Sequence, residues 1–346
     1  MTKTLTALAA VAAGMLALPA AGQAATTFGS RLNNDPANAG ECANPPDPGT
    51  CTLVSFIHPS DPNGDPYSGG APVAGVITKF RIRAFGEGGA AATVTFRLAD
   101  ISRPDPQNAT NAIATLVAEG PTVTIPASNA PETPILEFPA RVTVAQGNHL
   151  ALDGTNVWAT YNTSGDKFSY VFKPPLVAGQ GPRGSVDATG ELLVQAVIEP
   201  DADGDGFGDE TQDGCPTQGS NQGACDNAGP VISGVAVRGR TINYSLSEAA
   251  TLTFTLQKAR PGRRVRGRCR RPTRRNRQRP RCLRYVTLPG SFTDAGEAGA
   301  NSLTLPRRLG GRRLGPGRYR LLITARDQFG NETQATKRFV IRRARR

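Results

Sequence analysis

Asp201, Asp203 and Asp205 stand at alternate positions, Gly206 follows at once, and Asp209 and Asp213 come later at spacings of four. Carboxylates at positions 1, 3 and 5 of a tight loop converge on one point, and a glycine at position 6 permits the sharp turn. A hard divalent cation such as Ca²⁺ takes roughly six to eight oxygens of this kind. Six acids fall within residues 201–213 with no basic residue among them, so their mutual repulsion calls for a counter-ion. The expected ligands are Asp201, Asp203, Asp205, Asp209 and Asp213, and the expected cofactor is Ca²⁺. The alternative is an acid-rich solvated linker, which has no need of the 1, 3, 5 spacing.

A second chemistry is cationic. Fourteen basic residues and no acid lie between Lys258 and Arg284, among them Arg266, Arg268, Arg270, Arg271, Arg274, Arg275, Arg277 and Arg279. So dense a run repels itself and is ordinarily disordered. Cys269 and Cys282 flank it, so the expectation is an interstrand loop tied at its base, a basic finger projecting from a β-sandwich. Guanidinium forks hold phosphate and carboxylate bidentately. The matching partner is a polyanion, an acidic polysaccharide or cell-envelope polymer before nucleic acid, because no aromatic lies between Phe254 and Tyr285 to stack bases. A solvated loop without a ligand, or a finger docked on acids elsewhere in the chain, are the competing readings.

The acidic stretch resembles a thrombospondin type 3 repeat, whose pattern DxDxDGxxD, an acid and then Cys-Pro is met by Asp201, Asp203, Asp205, Gly206, Asp209, Cys215 and Pro216. Gly223-Ala-Cys225-Asp226 looks like a shortened partner unit. The resemblance covers residues 201–226 and implies calcium binding and a disulfide inside the segment. The last acid and the Cys fall one residue later than that pattern usually has them. Gln212 occupies position 12, where an EF-hand carries a bidentate Glu. Farther on, Pro316-Gly-Arg-Tyr319 through Asp327-Gln-Phe-Gly330-Asn331 is similar to the PGxYxLxVxAxDxxGN run of bacterial Ig-like and fibronectin III-like extracellular domains. It implies a fold and says little of function.

Catalytic signatures are missing. There is no GxSxG, no Walker loop, no HExxH and no cysteine placed as a nucleophile. His58 and His149 read as surface or packing residues, and no two carboxylates stand out as an acid–base pair. The expectation is a non-enzymatic binding or adhesion protein; a polysaccharide-active enzyme, or a carbohydrate-binding accessory using the N-terminal sandwich, is the alternative. Trp158 and Tyr161 are the candidates for stacking a sugar, while Phe168, Tyr170 and Phe172 alternate as inward core residues.

The elements that must position these groups follow from patterning. Met1-Thr-Lys3, an apolar run from Leu5 to Leu18 and small residues to Ala24 read as a signal peptide over 1–24. The expected location is secreted or cell-surface, and the predominance of Arg over Lys, 34 to 6, looks like a high-GC bacterial composition. Six cysteines agree with export and form three close couples, 42–51, 215–225 and 269–282. Residues 26–65 show little periodicity. Alternation then predicts hairpins over Val76–Leu98 and Val157–Phe172, strands near 113–118, 121–125, 135–144, 149–153 and 192–198, and no amphipathic helix. The whole is all-β: a jelly-roll-like sandwich over 25–199, a calcium linker over 200–228 and a seven-strand Ig-like sandwich over 229–346. Charge divides with it. Residues 25–228 carry 10 Lys+Arg and 23 Asp+Glu, hence 10 − 23 = −13, and residues 229–346 carry 29 and 5, hence +24.

Overall fold

A computed structural model describes residues 24–37, 50–57, 70–101, 112–127, 133–162 and 167–343. The leader expected over 1–24, apart from Ala24, together with Cys42 and His58, lies outside them. The chain divides into two compact units, Met1–Cys225 and Asp226–Arg346. Both are all-β, and the helical segments among the described residues are single 3₁₀ turns at Glu87–Gly89 and Arg274–Asn276.

In the first unit the principal strands are β1 (Thr26–Gly29), β2 (Cys51–Ile57), β3 (Gly75–Ile82), β4 (Ala92–Ile101), β5 (Ile113–Ile125), β6 (Leu136–Val144), β7 (His149–Gly154), β8 (Lys167–Phe172) and β9 (Val194–Glu199). One antiparallel sheet runs β1-β9-β3-β6; the other runs β5-β4-β7-β2-β8, flanked by the short pieces Arg183–Gly184 and Asp187–Thr189. The chain passes repeatedly from one sheet to the other, as a jelly-roll requires. Apolar residues at alternate positions fill the space between: Ile77, Phe80 and Ile82 from one sheet meet Val94, Phe96 and Leu98 from the other. Phe80 and Phe96 stack across the sandwich with centroids 4.5 Å apart. Each such side chain contributes about 1.5–3 kcal/mol by leaving water.

Several local expectations are corrected. β3 and β4 belong to different sheets and form a corner, not a hairpin: β3 pairs β9 and β6, and β4 pairs β5 and β7. Residues 157–172 form no hairpin either. Val157–Trp158 pairs Phe85–Gly86, Thr160–Tyr161 pairs Glu191–Leu192, and β8 pairs β2. The pieces expected near 113–118 and 121–125 are one strand, β5, which itself bulges twice against its partner β4. Within 26–65, where little was expected, β2 sits in the interior of the larger sheet, between β7 and β8. Tyr170 and Phe172 are buried, but on the outer face of that sheet with Val54, Phe56, Leu116 and Leu176, while Val171 points into the sandwich.

The second unit is built from β10 (Ile232–Arg238), β11 (Thr241–Leu246), β12 (Ala250–Val265), β13 (Arg268–Arg270), β14 (Arg281–Gly296), β15 (Gly299–Thr304), β16 (Gly317–Arg326) and β17 (Glu332–Ile341). The sheet β10-β11-β15 packs on the sheet β14-β12-β16-β17, the three-plus-four division of an Ig-like sandwich. Ile242, Tyr244 and Leu246 meet Leu252, Phe254, Leu321 and Ile323 in its core. The turn into β17 explains the DxxGN run. The Asp327 carboxylate accepts from the N–H groups of Phe329 and Asn331, both at 2.9 Å, and from the Asn331 amide at 2.9 Å. Gly330 takes the positive φ of 91° that closes it. Among the described residues no helix is long and apolar enough to cross a membrane.

Candidate metal centre and basic ribbon

The acidic stretch is not a free linker; it packs on the smaller sheet of the first unit. Glu199, at the end of β9, is 2 % exposed and anchors it. Its carboxylate accepts from Thr78 Oγ1 (2.9 Å), Thr211 Oγ1 (2.7 Å) and the backbone N–H of Glu210 (3.0 Å) and Thr211 (2.8 Å). Burial pushes its pKa up, but the bonds from Thr211, Thr78 and Glu210 outweigh that and hold the carboxyl below its ordinary value. Arg141 lies over the Phe207 ring at 4.2 Å. Gln212 donates to the Ala140 carbonyl at 2.7 Å and accepts from Gly208 N–H at 3.3 Å, so the residue at position 12 is a brace and offers no carboxylate. Glu210 turns away and accepts from Ala25 N–H at 2.6 Å.

On this base the loop curls as the spacing requires. Asp201 accepts from the N–H groups of Gly204, Asp205 and Gly206 at 2.9–3.0 Å, and Gly204 and Gly206 both have positive φ. One oxygen from each of Asp201, Asp203 and Asp205 lies within 4.8 Å of the others. Asp209 and Asp213 are outside that cluster. Asp209 accepts from Ala202 N–H at 3.1 Å, and Asp213, 6 % exposed, accepts from Cys215 N–H at 2.7 Å. Asp203 differs from the rest. Both its carboxylate oxygens are shut off from solvent and neither accepts a well-formed hydrogen bond, the Asp205 N–H giving only a weak pull; Asp213 Oδ2 is likewise enclosed without a partner. Burial first, then the charges of Asp205, Asp213 and Asp201, push the Asp203 pKa up. Burial and then Asp201, Asp213 and Asp205 do the same to Asp209, against the bond from Ala202. Buried unsatisfied carboxylate oxygens are uncommon in folded proteins and call for a partner. The donor set is all oxygen, which suits a hard cation. The Cys215–Cys225 disulfide closes the following segment, in which Gly219 packs close to the side chains of Asp203 and Asp205.

Elsewhere in the first unit, a cavity of about 430 Å³ opens on the outer face of the larger sheet, lined by Thr93, Thr95, Arg97, Glu119 and Asp153 among others. Arg97 pairs with both carboxylates, 2.6 Å from Asp153 and in close contact with Glu119. Burial pushes the Asp153 pKa up, against the Thr52 hydroxyl and Arg97. One guanidinium thus engages both acids. His149 is buried and bonds the Ser55 carbonyl through Nδ1 at 3.0 Å, and burial keeps it below its ordinary pKa. Trp158 stacks on Phe85 at 5.3 Å with its Nε1 enclosed and without an acceptor, and it does not share a strand with Tyr161. Phe168 packs edge-on to Tyr170, so the five aromatics do not make one surface.

In the second unit the expected loop is an ordered ribbon. β12 and β14 stay paired from Ala250↔Gly296 out to Arg263↔Arg281, past the last sandwich pairing of β12 with β16 at Lys258↔Tyr319. At the tip β13 adds to the other side of β12. Cys269 and Cys282 therefore stand on the two outer strands, and their disulfide crosses the middle one at Gly262. A Cβ on Gly262 would lie 2.4 Å from Cys269 Sγ, so only glycine fits beneath it. The eight arginines expected to bind polyanions lie on this tip and its turns, half-exposed or exposed at every position. Among the described residues, every ion pair seen is in the first unit and none reaches the ribbon. Tyr285, at the ribbon's base, carries Arg320 over its ring at 4.5 Å and Arg338 at 5.7 Å. Sequence reasoning missed that pair, since the three residues are far apart in the chain.

No family model matches the chain, and no curated protein matches it. Two similar solved structures are a Bacteroides uniformis β-glucuronidase, 14% identical with a TM-score of 0.14, and Bacteroides uniformis β-glucuronidase 2 covalently bound to cyclophellitol-6-carboxylate aziridine, 14% identical with a TM-score of 0.13. Each match covers 84% of this chain, which spans about a quarter (26%) of the length of either enzyme. Likeness at this level carries no functional argument.

Proposed function

We propose that this chain is an exported, calcium-binding, non-enzymatic protein that holds anionic envelope or extracellular polymers through its Ig-like unit. The observation that carries the reading is the ribbon, where cations are gathered on an ordered two- to three-stranded tip and left without ion-pair partners. An ordered display of guanidinium forks lowers the entropic cost of binding phosphate, sulfate or carboxylate groups along a polymer. Ca²⁺, held by Asp201, Asp203 and Asp205 with Asp209 and Asp213 nearby, would neutralise the thrombospondin type 3-like segment and fix it on the smaller sheet; its chemistry there is structural. Support for a binder over a polysaccharide-active enzyme comes from the cavity of the first unit, where Arg97 engages both Glu119 and Asp153 and leaves neither free as acid or base. The disulfides fit an oxidising compartment. Retention on an acidic polysaccharide column tests the reading. Arg270→Ser, Arg271→Ser, Arg274→Ser and Arg275→Ser together should bring elution to clearly lower salt, because each lost contact removes a counter-ion-releasing charge. These side chains are all exposed, so melting should be unaffected. Unchanged elution would reduce the ribbon to solvated structure.

A further inference from the structure

A second concentration of positive charge lies on the same unit, away from the ribbon tip. The edge strand of the smaller sheet, β10, and the edge strand of the larger, β17, border a groove of about 770 Å³. Its cations are Arg238, Arg240, Lys337, Arg338, Arg342 and Arg343, and no acid lines it. Two of the six have their guanidinium groups fixed by neighbours. The Arg240 guanidinium donates to the carbonyls of Leu305 (3.1 Å) and Pro306, and Arg338 leans on the ring of Tyr285. One or two charges suffice to keep a sheet edge from pairing with another chain. Six cations line one concavity, none of them ion-paired among the described residues, which exceeds that need and leaves their repulsion unrelieved until an anion arrives.

From this arrangement we infer that the groove between β10 and β17 is a separate anion site, taking a short run of closely spaced tetrahedral oxyanions such as linked phosphoryl groups. The inference deepens the polymer-binding reading and rests on it for the class of ligand. The groove's volume lies within the roughly 300–1,000 Å³ of small-molecule sites, so a few linked groups fill it. Charge density favours phosphoryl groups over uronic acids, since six cations in one groove are matched better by charges on adjacent atoms than by one carboxylate per sugar. The ribbon differs, because its arginines are spread along an extended tip: Arg263 stands between Arg270 and Arg281, and the others follow on the strand ends and turns, so a compact anion meets only part of the set. A long polymer would engage ribbon and groove; a short one would report the groove alone.

Calorimetric titration of the full chain with inorganic tripolyphosphate tests this. The triple variant Arg238→Ser, Lys337→Ser, Arg342→Ser should bind about tenfold or more weakly, since three charge-assisted contacts are removed. Arg238→Lys with Arg342→Lys, which keeps charge and loses the forks, should fall between it and the native chain; all these residues are exposed, so folding is not at stake. The four-arginine ribbon variant should bind tripolyphosphate as the native chain does. A groove variant that binds normally, or a ribbon variant that loses as much, would overturn the site. Equal affinity for a galacturonate trimer would overturn the assignment to tetrahedral oxyanions. The polysaccharide column stands apart from this titration: a native chain that the column fails to retain sinks the polymer reading, while the groove is decided by tripolyphosphate alone.

Discussion

Asp327 shows how much one carboxylate can organise. Burial works to raise its pKa, but the side chain and backbone of Asn331 and the N–H groups of Phe329 and Gly330 outweigh it and hold the carboxyl below its ordinary value. A carboxyl depressed in the folded state adds stability that is complete above its unfolded pKa, about 3.9, and is lost as pH falls through the folded value. Asp327→Asn should therefore lower the melting temperature by a few degrees near neutrality, and the gap to the native chain should close below about pH 3. A gap that stays constant across that range would mean that the turn does not depend on the charge. Asp203 is the opposite case. Its pKa is raised, no donor satisfies it, and its alternation with Asp201 and Asp205 was plain in the sequence. Glu199 and Gln212 were not legible, because the groups they hold, Thr78 and the Ala140 carbonyl, are 121 and 72 residues away.

Among the elements, legibility follows solvent. β3 and β4 each bury one face and expose the other in part, so their alternation was readable. Where they pair was not, because a corner between sheets and a hairpin have the same local pattern. β2 lies between two neighbours with Leu53 facing the sandwich and Val54 facing the outer cluster. With both faces buried it has no polar alternation to betray it. The ribbon fails for the converse reason: beyond the sandwich neither face of β12 is covered by a second sheet, so arginine recurs on both faces and the run reads as a loop. Gly262 is the residue on which its tip depends. Gly262→Ala should disfavour the Cys269–Cys282 bridge, giving two titratable thiols and weaker polymer retention than the native chain, though less weak than the four-arginine variant, which loses charge outright. A fully bridged Gly262→Ala chain with unchanged elution would contradict the crossing of the middle strand.

At the scale of the molecule, balances of −13 and +24 make the two halves electrostatic opposites. That division was legible from composition. What it hid is that the acidic segment belongs to the first unit, anchored by Glu199 and braced by Gln212, so its carboxylates are fixed in a fold as well as crowded in a sequence. Fixing them costs repulsion that a divalent cation would remove, and extracellular calcium-binding modules in general bind at about 10⁻⁴–10⁻³ M. Ca²⁺ titration of the full chain by calorimetry in that range is the most direct test. The native chain should show one saturable site, and Asp203→Ala with Asp205→Ala should abolish its heat while the disulfides and the β-rich circular dichroism remain. A double variant that binds Ca²⁺ with the native heat would contradict a cation held at Asp203.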